Sequence, residues 1–159
     1  MAGRIFRATG DAIDLLRKVL NVTFNVEGLE NLVDRPTLFV VNHFTRVETF
    51  LVPYVIYKHT GKECHSLADA RLFTGLLGEY LRQMGTASVK EPCRNRRIIG
   101  DLVTGTFNWV IFPEGVMVKS KEVMHGRQLH IGDPLRPGRP HTGAAVIALK
   151  AELLRQRYL

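Results

Sequence analysis

The spacing of hydrophobic residues changes several times along the chain, and each spacing predicts one type of element. Short apolar runs, alternating or continuous, predict strands at 22–26, 37–41, 64–67, 86–89 and 108–112. Apolar residues at intervals of three and four predict helices at about 5–20, 46–58, 72–84, 94–107 and 142–157. A turn-rich connector is expected at 28–35, and the Gly- and Pro-rich stretch 126–140 predicts a loop with turns.

This alternation of strands and helices is typical of an α/β fold, in which a mostly parallel sheet is flanked by helices on both faces. A length of 159 residues, with 45% hydrophobic and 23% charged residues, suits one domain with a sizeable core. The sequence contains no internal repeat and no second domain boundary. We therefore expect a single domain over 1–159.

The first 21 residues predict an amphipathic helix that carries basic residues between its apolar positions. Such a helix binds an anionic membrane interface or packs on its own domain, and Asp11 and Asp14 favour the second alternative. The sequence contains no apolar run long enough to span a bilayer, so membrane contact is expected to be peripheral.

The charge of the chain bears on its partners. A net charge of +7 favours an anionic partner, which could be nucleic acid, phospholipid headgroups or a polyphosphate-bearing substrate. Cys64 and Cys93 lack the spacing of a disulfide framework or zinc site, which fits a reducing compartment. The histidines lack metal-ligand spacing, and glycine-rich nucleotide motifs are absent, so neither a metal nor a cofactor is expected.

Polar motifs follow two of the predicted strands. Asn42 and His43 follow the strand at 37–41, with Glu48 five residues beyond the histidine, and Phe112-Pro113-Glu114-Gly115 closes the strand at 108–112. Sites in open α/β sheets form where strands end, so both motifs are candidates for one site. Together they resemble the NHxxxxD and FPEG blocks of the glycerolipid acyltransferase family, and the resemblance spans about 28–150.

The resemblance implies transfer of a fatty acyl group from acyl-CoA or acyl carrier protein to a lysophospholipid or glycerol phosphate, in phospholipid synthesis. The acyl donor is a co-substrate, and no further cofactor is implied. The expected location is the cytoplasmic, inner face of a membrane. In the family the FPEG block contacts the acceptor, which assigns substrate binding to Phe112, Pro113, Glu114 and Gly115, with Asn42 beside them.

Acyl transfer to a hydroxyl needs a base, and His43 fits that role, with Glu48 holding the second ring nitrogen. Five residues on a regular helix turn by about 500°, so the histidine must precede the helix for the two side chains to meet. Thr45 at the N-cap would place it there. Thr45-x-x-Glu48 is also a capping box, so capping is the alternative role for Glu48, where the family has aspartate.

A basic stretch at 90–97 opens the predicted fourth helix. Gly85 matches a glycine of the family, but Glu91 stands where the family has a phosphate-binding arginine, which leaves Lys90 or Arg94 for phosphate. A solvated charged helix end is the alternative. Val116 and Met117 occupy positions that are often threonine and arginine in the family, and Lys119 or Lys121 are candidate substitutes for that arginine.

Two other classes of function stay open. In the family a further strand and a proline-bearing block follow the helix that is here 142–157, so the chain is expected to be C-terminally truncated. A catalytically impaired acyltransferase-like module that binds membrane phospholipid is the first alternative. A basic nucleic-acid-binding domain ranks last, because aromatic residues, 8% of the chain, do not interleave with the cations at 90–97.

Overall fold

The computed structural model describes residues 3–43, 45, 47–114 and 141–158, together with the backbone of 124–125 and 128–129. Its elements, in chain order, are α1 (Arg4–Val19), β1 (Leu38–Val40), α2 (Glu48–Thr60), β2 (Cys64–Ala68), α3 (Gly75–Gln83), β3 (Ala87–Ser88), α4 (Arg94–Thr104), β4 (Asn108–Ile111), β5 (Met124–His125), β6 (Gln128–Leu129) and α5 (Gly143–Tyr158). Short 3-10 helices lie at Leu29–Asn31 and Ala70–Leu72.

Four strands form a parallel sheet in the order β1-β4-β2-β3. Leu38 lies opposite Trp109, His65 lies opposite the same residue from the other side, and Leu67 pairs with Ala87. Every connection between these strands contains a helix, as parallel pairing requires. The predicted α/β class with a parallel sheet is confirmed.

The core occupies both faces of this sheet. Successive residues of a strand point to opposite faces, so Trp109 and Ile111 of β4 face α4 and α5, whereas Val110 faces α2. The larger cluster includes Ile98, Leu102, Ile147 and Ala151 from the two helices. The smaller one joins Val110 and Cys64 to Ile56. Helices therefore flank the sheet on both sides.

The helix α1 packs on the rest of the domain through one side. Phe6 meets the ring of Tyr57 edge-on at a centroid distance of 5.2 Å, and Thr9 hydrogen-bonds Tyr80 at 2.9 Å. Asp14 accepts hydrogen bonds from Tyr54 and, at 2.7 Å, from Lys58. The Lys58 ammonium lowers the pKa of Asp14. This carboxylate is therefore already paired with groups of its own domain.

The other side of α1 is apolar and exposed. Leu15, Leu16, Val19 and Leu20 are each more than half exposed. One side of α1 thus packs on its own domain, and the other side presents exposed apolar residues. Within the described residues, every helix is too short or too polar to cross a membrane.

Several predicted elements were wrong. The segment 22–26 forms no strand, because Phe24 packs against Tyr54 and under the Arg17 guanidinium instead of pairing in the sheet. The helix predicted at 72–84 begins only at Gly75, after the turn of 3-10 helix in which Asp69 accepts the Arg71 N–H. The fourth helix ends at Thr104, where Gly105 adopts a left-handed conformation with a φ of 80°.

The predicted loop at 126–140 also needs correction, because Gln128–Leu129 pairs antiparallel with Met124–His125. The rest of that stretch lies outside the described residues.

Candidate active site

The two polar motifs lie side by side at the carboxyl edge of the sheet. β1 and β4 are neighbours, so the residues that follow Val40 and Ile111 leave the sheet next to each other. His43 lies in the loop between β1 and α2, as the spacing predicted, and its ring stacks obliquely on Phe112 at a centroid distance of 4.5 Å. The adjacency of two strands that are distant in sequence therefore brings the motifs together.

His43 and Glu48 make direct contact. The Nδ1 atom of the imidazole lies 3.3 Å from Oε2 of the carboxylate, and the two side chains are 17% and 23% exposed. A carboxylate on Nδ1 favours the tautomer that carries its proton there, which leaves Nε2 unprotonated. An imidazole held in this way accepts a proton from a hydroxyl at Nε2.

The helix α2 begins at Glu48, with Val47 at the N-cap. The prediction that Thr45 caps this helix was wrong, because the first turn begins two residues later than the capping box requires. Glu48 is consequently the first helical residue, where its carboxylate is favoured by the helix dipole and reaches the preceding loop.

A second carboxylate, that of Glu114 in the FPEG motif, binds the backbone of His43. The His43 backbone N–H donates to Oε2 of Glu114 at 3.1 Å. The resemblance implied that Glu114 contacts the acceptor, whereas one of its oxygens is bound to the histidine loop. The glutamate of this motif thus joins the two strand ends.

His43, Phe112 and Pro113 border a cavity of about 590 Å³. Its polar lining comprises His43, Thr49, Asp69, Arg94, Asn95, His141 and Thr142, and its larger apolar side chains are Leu67, Leu72, Val89, Ile111, Phe112 and Ile147. This combination suits a ligand with a hydrocarbon part and a polar part. The Arg71 guanidinium lowers the pKa of Asp69 to about 2, so this carboxylate is ionised at neutral pH.

Three helices begin at the cavity. Thr49 belongs to the first turn of α2, Arg94 and Asn95 open α4, and the start of α5 contributes Gly143 and Ala144. The first N–H groups of a helix lack intrahelical acceptors, and the helix dipole adds partial positive charge there. The starts of the three helices therefore favour anionic groups, whereas the ionised Asp69 disfavours them on its own side of the cavity.

The structure separates the two candidate phosphate ligands. Arg94 lines the cavity that contains His43, and its guanidinium donates to the Val89 carbonyl oxygen. Lys90 lies in a second cleft beside β3. Asn42 is exposed and is not part of the cavity wall. Gly115 and the stretch 116–121, with Lys119 and Lys121, lie outside the described residues.

One functional candidate was missed at the sequence level. His141 lines the cavity, and its backbone N–H donates to the Pro113 carbonyl oxygen at 3.0 Å. No local motif marks this histidine. It reaches the site only because the chain returns to the end of β4 before α5 begins.

The fold and the site define an α/β protein with a histidine-carboxylate pair at the edge of a parallel sheet. A family model described as Acyltransferase matches residues 23–157, which is most of the chain. The chain belongs to this acyltransferase family and is an acyltransferase by that membership. No match was found among curated proteins.

Proposed function

We propose that the chain transfers a fatty acyl group from a thioester donor, acyl-CoA or acyl carrier protein, to a hydroxyl of a lysophospholipid or glycerol phosphate. The observation that carries the proposal is the contact between His43 Nδ1 and Glu48 beside a partly apolar cavity. A bound hydroxyl beside Nε2 of this histidine would lie next to the base that the reaction needs.

In the proposed reaction, Nε2 of His43 takes the proton of the acceptor hydroxyl while its oxygen attacks the thioester carbonyl. The new carbon–oxygen bond forms a tetrahedral intermediate, whose oxyanion is stabilised by N–H groups at the start of α5. When the intermediate collapses, the carbon–sulfur bond breaks, and the leaving sulfur receives the proton from the imidazolium. Glu48 stabilises the imidazolium between the two steps.

The cavity also fits the two parts of the proposed substrates. Leu67, Leu72 and Ile147 provide apolar wall for a hydrocarbon chain. Arg94, at the start of α4, provides a positive charge for the phosphate of the acceptor. Asp69 stays ionised in the same wall and disfavours an anion bound directly against it.

We also propose that the protein works at the cytoplasmic, inner face of a membrane, which it contacts through α1. The apolar ridge Leu15, Leu16, Val19 and Leu20 is exposed, and the exposed Lys18 lies beside it. Asp14 does not oppose an anionic surface, because Lys58 and Tyr54 engage its carboxylate. The net charge of +7 adds attraction to anionic lipid.

A thiol-release assay tests the proposed reaction. Acyl-CoA is mixed with the protein and with single members of a panel of lysophospholipids and glycerol phosphate, and free thiol is followed. Release that requires an acceptor supports a transferase, whereas release without one indicates a hydrolase. Binding to phospholipid vesicles without any thiol release would identify the catalytically impaired module instead.

A further inference from the structure

A second cleft lies at the free edge of β3, outside the cavity of the candidate active site. It has a volume of about 490 Å³ and is lined by α3, by β3 and the residues after it, and by the first turn of α4. Three of its side chains are cations, Arg82, Lys90 and Arg97, and one is an acid, Glu91. We call it the basic cleft.

The positive charge of the basic cleft is only partly neutralised. Glu91 lies 3.6 Å from Arg97, and Glu79, outside the cleft, lies 3.7 Å from Arg82. These ion pairs are solvent-exposed and therefore weak, so a ligand phosphate can compete for the two guanidinium groups. The three cations and two carboxylates together leave a net charge of +1. Within the described residues, the Lys90 ammonium makes neither a hydrogen bond nor an ion pair. The cleft is therefore positive overall and complementary to a phosphate-bearing anion.

Other groups in the cleft suit a ligand larger than one phosphate. The volume falls in the range of small-molecule sites, well above what a single phosphate fills. Ser88 contributes a hydroxyl group, and the Phe73 ring, with the Arg82 guanidinium 5.8 Å from its centroid, forms an aromatic side. Guanidinium and aromatic planes together are common partners of a nucleotide base.

The basic cleft and the catalytic cavity share a rim. Leu72 lines the cavity and Phe73, the next residue, lines the cleft. On β3 and the turn that follows, Val89 lines the cavity, whereas its neighbours Ser88 and Lys90 line the cleft. A ligand held in the cleft therefore has only this rim between it and the cavity that contains His43.

We propose that the basic cleft binds the phosphate-bearing nucleotide end of an acyl-CoA donor, whose flexible arm crosses the Leu72–Val89 rim and delivers the thioester to the cavity. This inference rests on the proposed acyl transfer and specifies its donor. Lys90 and Arg82 hold phosphates, and Phe73 packs on the base. Arg94 then serves the acceptor, so the two candidate phosphate ligands belong to two different substrates.

Binding is measured by calorimetry with adenosine 3′,5′-bisphosphate as the nucleotide probe and with inorganic phosphate as the simple anion. We expect the wild-type protein to bind the bisphosphate, and to bind inorganic phosphate more weakly. The double variant Arg82→Gln/Lys90→Gln should weaken bisphosphate binding by at least about tenfold, since it removes two charged partners. The control Lys150→Gln/Arg157→Gln, on exposed positions of α5, loses the same charge and should bind as the wild type does.

Turnover supplies the second readout. The double variant should raise the KM for acyl-CoA and leave the KM for the acceptor unchanged. Equal bisphosphate affinity in both double variants, equal affinity for inorganic phosphate and bisphosphate, or a rise confined to the acceptor KM would each overturn the assignment. If loss of the Arg82 hydrogen bond to the Phe73 carbonyl oxygen impairs folding, Lys90→Gln alone replaces the double variant in both measurements. Because binding needs no turnover, a His43→Ala protein that binds the bisphosphate separates this inference from the proposed reaction.

Discussion

Glu114 accepts the backbone N–H of His43 across 71 positions of sequence, at a distance of 3.1 Å. This bond connects the end of β4 to the loop after β1, and it fixes the backbone that carries the imidazole. Glu48 holds the ring of the same histidine at Nδ1. Two carboxylates therefore position one base, one through the main chain and one through the side chain.

Glu114 either anchors the backbone of His43 or binds the acceptor through its charge. The two roles predict different effects of Glu114→Gln. Glu114→Gln keeps an oxygen that accepts the His43 N–H, so its kcat should stay close to that of the wild type. Glu114→Ala leaves the loop unanchored and should lower kcat by about 10- to 100-fold, since misplacement near 1 Å has such effects. Steady-state kinetics decide between the roles. If Glu114 instead binds the acceptor through its charge, both variants should raise the acceptor KM.

His43→Ala should lower acyl transfer by about 10²- to 10⁴-fold, the usual effect of losing a general base. The fold should persist, because the side chain is partly exposed and lies in a loop. Initial rates and thermal melting are compared with those of His59→Ala, an exposed histidine in the last turn of α2. A folded His43→Ala protein with near-normal turnover would contradict the proposed base.

Glu48→Gln tests the positioning of the base. Glutamine retains the size of the side chain but loses the charge that stabilises the imidazolium, so we expect kcat to fall by at least about tenfold. Stability should change by no more than about 1 kcal/mol, the scale of a helix-dipole interaction. Glu30→Gln, at an exposed position, provides the charge-matched control. An unchanged rate with lower stability would assign Glu48 to the helix terminus alone.

The buried pair Glu63–His65 predicts that stability depends on pH. Nε2 of His65 lies 3.2 Å from Oε2 of Glu63, the ring stacks on Phe107, and Nδ1 has no partner among the described residues. Burial lowers the pKa of His65 below its ordinary value of 6.5. The neutral form is therefore favoured in the folded state, and the unfolded chain binds more protons below pH 6.5.

The lowered pKa of His65 determines how the free energy of unfolding changes with pH. The free energy of unfolding should hold its full value above about pH 6.5 and decrease as the pH falls toward the folded-state pKa. Urea unfolding at a series of pH values measures this slope. His65→Phe should flatten it, and His59→Ala should not. A slope that is the same in all three proteins would assign the pH dependence to other groups.

Gly85→Ala should be strongly destabilising for two reasons. Gly85 has a φ of +76°, and a Cβ atom there would overlap the His65 ring. The left-handed backbone costs about 1–2 kcal/mol for alanine, and overpacking adds about 1–3 kcal/mol. Gly61→Ala is the matched control, because Gly61 has a φ of +67° but open space around it. Chemical denaturation should show the larger loss for Gly85→Ala; equal losses would contradict the predicted steric contribution.

Local patterns in the sequence predicted the α/β class, most of the helices and the four sheet strands, because periodicity records which side of an element is buried. They also predicted that the Asn42-His43 and FPEG motifs stand at strand ends. The same rule failed at 22–26, since alternation marks a segment with one buried side and does not distinguish a sheet partner from the helices that cover Phe24.

The sequence by itself thus determined most of the elements, the family resemblance and the chemical groups at the strand ends. Only the tertiary structure decided which groups meet. The strand order β1-β4-β2-β3 sets His43 beside Phe112 and Glu114, and the return of the chain before α5 brings His141 to the cavity. The turn after β3 places Lys90 in the basic cleft and Arg94 in the cavity that contains His43. Some of these contacts join residues that are distant in sequence, and others depend on the direction of a turn. The packing of the whole sheet determines the distant contacts and the turn direction alike.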